Sequence, residues 1–167
     1  ATKLNYKNGI AGAFNSLGIY YHLQARYDSA LIYYAKAISI KEKTGDKKGV
    51  VSSQNNMGII YYSQGKYDKA LQTFNASLQT QEEMHDTVGI PNTLNYIASV
   101  HYFLSNFDKA LSFYLKSLDL FRKTKDKHGL SQAYNNLGII YSELDNLDKA
   151  IENYTNSLRL ANEVGAK

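Results

Sequence analysis

The amino-acid sequence predicts an all-α protein made of four stacked helix pairs, and three observations predict it. Gly9, Gly49, Gly89 and Gly129 stand 40 residues apart, and the segments after them align without a gap. Within each segment the apolar residues recur at helical spacing. A single proline interrupts the 167 residues, and it falls near the start of a predicted helix, where its missing N–H costs little. Self-similarity at a fixed period of this length marks supersecondary units that bury a face only against their neighbours. One repeat domain over 1–167 follows, with units 9–48, 49–88, 89–128 and 129–167. Residues 1–8 read as the close of a preceding unit, Leu4 aligning with Thr44, Met84, Thr124 and Val164.

Each unit has room for two helices, A and B, of about 17 residues. In the first, Asn15-Ser16-Leu17-Gly18 and Tyr21 belong to helix A, and Tyr27-Asp28-Ser29-Ala30-Leu31 with Tyr34 to helix B. In the second, Val50, Met57, Gly58 and Tyr61 share one side of helix A after Asn55-Asn56, and helix B continues with Tyr67-Asp68-Lys69-Ala70-Leu71, Phe74, Leu78 and Gln81. The third has Pro91, Asn95-Tyr96-Ile97-Ala98 and His101, then Phe107-Asp108-Lys109-Ala110-Leu111 and Tyr114. The fourth has Asn135-Asn136-Leu137-Gly138 and Tyr141, then Leu147-Asp148-Lys149-Ala150-Ile151 and Tyr154. Asp28, Asp68, Asp108 and Asp148 stand where a carboxylate caps helix B, and Asp46, Asp86 and Asp126 where one caps the next helix A. Gly18, Gly58 and Gly138 lie inside helices at a cost of about 1 kcal/mol against Ala, for which close helix packing is the expected reason; Ala98 takes that place in the third unit.

Composition removes several function classes. Without Cys there is no disulfide framework, thiol nucleophile or thiolate metal site. That leaves the compartment open, with a cytoplasmic setting favoured. No apolar run approaches the roughly 20 residues that span a bilayer, so no membrane insertion is expected. The net charge of +4 is not a phosphate-binding stripe: by Lys and Arg against Asp and Glu, the four units carry +3, −2, +3 and −2. No nucleic-acid partner is expected. No phosphate loop, His-Glu-x-x-His or Gly-x-Ser-x-Gly motif is present, and Glu82-Glu83 falls on polar helix surface. The histidines lack metal-ligand spacing, with His85 and His128 in predicted loops and His101 as a satisfied core residue. No catalytic residue, metal or cofactor is expected.

The Leu-Gly-x-x-Tyr and Ala-x-x-x-aromatic signatures resemble the tetratricopeptide repeat over essentially the whole chain. Phe14, Gln54, Leu94 and Tyr134 stand at that family's Trp position, its helix-ending Pro is absent, and the period is 40 rather than 34. This looks like the longer-helix subfamily seen in kinesin light chain, in Pins-like polarity adaptors and in repeat domains of bacterial sensor kinases and peptide-sensing regulators. The resemblance implies a right-handed α-solenoid that binds protein or peptide in its concave groove, or a ligand-sensing region of a larger bacterial signalling protein.

A recurrent helix A flank supplies the candidate groove. Asn15, Asn55, Asn95 and Asn135 repeat there, and amides suit the alternating N–H and C=O groups of an extended peptide. Ile19, Ile59 and Ile139 follow four residues on, with Ser99 in the third unit, and then His22, Tyr62 and Tyr102. Asn56, Tyr96 and Asn136 complete the set. Two readings of the Asn row stay open: it faces ligand, or it hydrogen-bonds between adjacent A helices. Finally, Tyr154, Leu158, Leu160, Ala161 and Val164 make an uncapped apolar end, which predicts self-association.

Overall fold

The computed structural model describes residues 2–165, with side chains from Tyr6 onward; Ala1, the end at Lys167 and the side chain of Leu4 lie outside the described residues. Eight helices and no strand occur among the described residues. They alternate A and B: α1 (Thr2–Leu23), α2 (Tyr27–Thr44), α3 (Lys47–Ser63), α4 (Tyr67–Glu83), α5 (Ile90–Phe103), α6 (Phe107–Thr124), α7 (Lys127–Glu143) and α8 (Leu147–Gly165). α1 takes in residues 2–8, which the repeat register assigns to the close of a preceding unit. The fold is an all-α helical repeat in two compact units, Ala1–Met84 and His85–Lys167.

The pairs close on small residues. Ala30, Ala70 and Ala110 are fully buried, and Ala150 nearly so. A Cβ added at Gly18 or Gly138 would lie 2.5 Å from a ring carbon of Tyr34 or Tyr154, and Gly58 meets the Phe74 ring in the same way. The helix-interior glycines therefore let the helix B aromatic lie flat on helix A. Between pairs a second row does the work. Ile60 seals against Ala30 and Tyr34 in the first unit. Ala133, Leu137 and Ile140 seal against Ala110, Tyr114, Leu118 and Phe121 in the second.

The turns explain the constant period. Helix A ends with Ala25, Gly65, Ser105 or Asp145, all at positive φ near 55–69°. The N–H of each donates three residues back and that of the next residue five back, for example Ala25 to the His22 carbonyl and Arg26 to that of Tyr21, each at 2.9 Å. These are the paired bonds of a Schellman motif. Gly45 and Lys125 close α2 and α6 the same way.

Several local expectations change. Asp46 and Asp126 do cap, accepting from the Gly49 and Gly129 N–H groups at 2.9 and 3.0 Å. Asp86 accepts from Gly89 at 3.0 Å, although α5 starts only at Ile90, with Pro91 in its first turn. Asp28, Asp68 and Asp108 are not caps. They stand one residue inside helices whose cap residues are Arg26, Lys66 and Asn106, where a carboxylate favours the positive end of the helix. Asp148 likewise lies within the first turn of α8, and the cap there is Asn146, whose Oδ1 accepts from the Lys149 N–H at 3.2 Å. His128 lies in α7 rather than in a loop. Leu160 is buried rather than part of the exposed end, and Tyr154, expected in the core, is 39% exposed because one side of α8 is uncovered.

Candidate functional site

Helix A carries the candidate residues on parallel rows, and the two units treat them differently. In the first unit Asn15 Oδ1 accepts from Ser53 Oγ at 2.9 Å, bridging α1 to α3. Ser53 in turn accepts from the Lys41 ammonium at 3.0 Å, which also reaches the Gly49 carbonyl at 3.0 Å. Lys41 is 7% exposed, and burial holds its pKa below the ordinary lysine value, partly offset by Asp46. The amide of Asn15 is thus committed to the scaffold.

In the second unit the same register positions hold Ala133 for Ser53 and Phe121 for Lys41. The polar bridge is gone. Asn95, at 8% exposure, keeps a buried Oδ1 with no hydrogen-bond partner. It lines an open cleft of about 470 Å³ between α5 and α7, together with Asn92, Tyr96, Ser99, Gln132, Asn135 and Asn136; Ser131 and Ser157 complete the lining. Every lining side chain is an amide, a hydroxyl or a phenol. Burial raises the Tyr96 phenol pKa, so the cleft stays uncharged at neutral pH. Ser99 Oγ donates to the Asn95 carbonyl at 3.0 Å and lies 2.9 Å from the Tyr114 hydroxyl, fixing that wall to helix B. Ser131 and Ser157 exchange hydrogen bonds with each other's carbonyls at 3.0 and 2.8 Å, which holds α8 against α7.

Asn95, Tyr96, Asn135 and Asn136 are therefore brought together, Asn135 exposed and Tyr96 and Asn136 half-buried. In the first unit Asn55, Asn56 and Ile59 are half-buried on α3, and Ile19 is 41% exposed on α1. Ile139 is half-buried on α7. His22, Tyr62 and Tyr102 occupy the corner of each pair, their rings 6.0, 6.1 and 5.8 Å from the first aromatic of helix B, Tyr27, Tyr67 and Phe107. The Tyr102 hydroxyl also donates to Glu143 at 2.9 Å, a bond that raises its pKa. His101 is not the satisfied core histidine expected. It is half-buried and stacked on Phe113 at 5.6 Å, with a buried Nδ1 that has no hydrogen-bond partner. Burial, then the charge of Lys109, lowers its pKa. The motif reading missed Asn92, Ser131, Gln132 and Ser157. The mismatches of Ser53 with Ala133 and of Lys41 with Phe121, 80 residues apart, are the signal that singles out the second unit.

Among the described residues no group of three His, Cys, Asp or Glu is placed to hold a metal ion, and no helix is long and apolar enough to cross a membrane.

Comparison with curated proteins returns no match. Solved structures similar in fold include BtubC (BKLC) from P. vanneervenii, with a TM-score of 0.82 and 21% identity over 94% of this chain and 65% of that one. The apo form of RapI gives 0.78 and 21%, over 92% of this chain and 43% of that one. A signal transduction ATPase with numerous domains and a tetratricopeptide repeat sensor, from Pyrococcus horikoshii, gives 0.82 and 19%, over 92% and 24%. This chain spans less than two thirds of each, and at these identities the likeness is one of fold. The sequence model of the tetratricopeptide repeat matches residues 9–83 and 89–163. Repeats of this kind generally mediate protein–protein interaction and are typically non-catalytic. With most of its length matched by that model and its helix pairs folded accordingly, the chain belongs to the tetratricopeptide repeat family.

Proposed function

We propose that the chain is a non-catalytic binding module that takes an extended, uncharged segment of a protein partner into the α5/α7 cleft. The observation that carries this is Asn95, an amide lining the cleft with its Oδ1 buried and unpartnered. A buried acceptor left unsatisfied costs about 1–3 kcal/mol. A ligand N–H, reaching it directly or through a turn of the amide, recovers that cost. A peptide backbone offers such donors at regular spacing, and the amides of Asn135 and Asn136 offer matching donors and acceptors. Ile139 on α7 and Tyr102 on α5 extend the reading within the second unit, while Ile19, His22, Asn55, Asn56, Ile59 and Tyr62 form the equivalent face of the first unit by themselves, where Asn15 is held by Ser53. The lack of Lys and Arg in the cleft favours protein over nucleic acid, whose phosphates need cations.

Panning a random peptide display library against the chain tests the proposal, with binding mapped by NMR chemical shifts. Selected peptides should perturb Asn95, Tyr96, Asn135 and Asn136 and keep their affinity in about 0.5 M salt, since no ion pair is screened. Shifts confined to other surfaces, or affinity lost with salt, would overturn it. A second reading is favoured by the signal transduction ATPase, whose repeats of the same fold are its sensor. On that reading the same cleft senses a ligand for an attached signalling module, and a kinase, ATPase or DNA-binding domain joined to the repeats would support it.

A further inference from the structure

The walls of the α5/α7 cleft carry carboxamides in a paired pattern. Asn92, Asn95 and Tyr96 of α5 stand at the i, i+3 and i+4 positions that share one face of a helix. Gln132, Asn135 and Asn136 of α7 repeat that spacing 40 residues on, so five of these six side chains are amides. The equivalent positions of the first unit hold Gly12, Asn15 and Ser16 on α1 and Ser52, Asn55 and Asn56 on α3. Only three of those are amides, and Asn15 is already held by Ser53.

The serines of the cleft have no hydrogen left for a ligand. A hydroxyl carries one, and Ser99, Ser131 and Ser157 each give theirs to a backbone carbonyl. The five carboxamides, by contrast, bond to no other group among the described residues. They stand at two depths: Asn92, Gln132 and Asn135 are exposed at the rim, whereas Asn95 at the floor is 8% exposed. A peptide backbone resting on the rim reaches the floor only through a side chain. That side chain is not charged, because the lining offers a buried charge no counter-ion. Nor is it apolar, because it would seal the floor amide away from water without a partner. A carboxamide meets both conditions. It pairs with a facing carboxamide through two N–H to oxygen bonds, one in each direction, whichever way round the Asn95 amide is turned.

We infer that the segment entering the cleft is rich in glutamine or asparagine, one side chain pairing with Asn95 at the floor and its neighbours pairing with the amides of the rim. The inference rests on the peptide-binding reading above and adds which residues the segment carries.

Four blocked decapeptides test it, with glycine alternating with glutamine, serine, leucine or glutamate. Each is titrated into isotope-labelled chain up to about 10 mM, a range that captures weak binding, and followed by the side-chain amide signals of Asn95 and Asn135 in NMR. The glutamine peptide should bind there about tenfold more tightly than the leucine and serine peptides. Asn135→Ala, at an exposed site, should keep its circular dichroism and cut that preference to about threefold or less. Asn95→Leu, close to asparagine in size, should abolish the preference; if it does not fold, the rim variant decides. Equal binding of the leucine or serine peptide at the cleft overturns the inference and leaves the peptide-binding reading standing. So does a preference for glutamine that survives Asn135→Ala undiminished. Tightest binding by the glutamate peptide, or no shift at the cleft with any of the four, overturns both.

Discussion

The orientation of helix A is open to a direct test in two isoleucines. Ile60 is fully buried against Ala30 and Tyr34, whereas Ile19 is 41% exposed on the row proposed to meet ligand. Truncation of Ile60 to Ala removes three carbons, worth about 2.4 kcal/mol at roughly 0.8 per buried methylene, before the cavity it leaves is counted. Core Ile→Ala changes run from about 2 to 5 kcal/mol, and a site locked between two helices collapses poorly. We therefore expect Ile60→Ala to cost about 3 kcal/mol and Ile19→Ala less than about 1. At roughly 2.1 cal/mol/K per residue, 167 residues unfolding together would translate 3 kcal/mol into a fall of about 9 °C in Tm, and a unit unfolding alone would shift by about twice as much. Urea titration followed by circular dichroism gives both costs, provided the m-value is unchanged. Equal costs at the two positions would refute the assignment of the buried and exposed faces of helix A in the first unit.

Four further outcomes are expected. Ala133→Ser should give Asn95 the donor that Ser53 gives Asn15, raising stability by about 1 kcal/mol in urea titration and weakening peptides selected for the cleft. His101→Tyr should remove a pH dependence: the folded-state pKa of His101 lies below its ordinary 6.5, so the folded state binds fewer protons and stability falls as pH drops from about 6.5 toward that lowered value. Melting temperatures between pH 7 and 5 should show that slope in the wild type and a flatter one in the variant. Ala70→Arg should unfold at least the first unit, since a fully buried methyl site has room for neither the bulk nor the charge, and a helical, monomeric product would contradict the packing. Ala25→Gly should stabilise by about 0.5–1 kcal/mol, because alanine holds the left-handed backbone at φ 55° that glycine adopts freely; a loss of stability would mean that the turn is set by other contacts.

The helix pairs were legible because each of their causes is written at a fixed spacing. The aromatic at 34, 74, 114 and 154 and the glycine or alanine at 18, 58, 98 and 138 form one contact, repeated, and a repeated contact survives in the sequence as a motif. The Schellman turns were hidden, because a left-handed residue is recognisable only as glycine, and among the four A-to-B turns only Gly65 announces it. The caps were misplaced for a similar reason. An aspartate one residue inside a helix and one at its cap read alike, and only the hydrogen bonds distinguish Asp28 from Asp46. The candidate site lies further from what a motif records. The periodic asparagines are chemically identical in sequence, yet Asn15 is consumed by Ser53 and Lys41 while Asn95 faces Ala133 in the register and keeps an unsatisfied oxygen. The difference sits in residues that break the repeat rather than in those that make it. A fold built from equivalent units is therefore read from its agreements, and its binding site from the positions where one unit stops agreeing with the next.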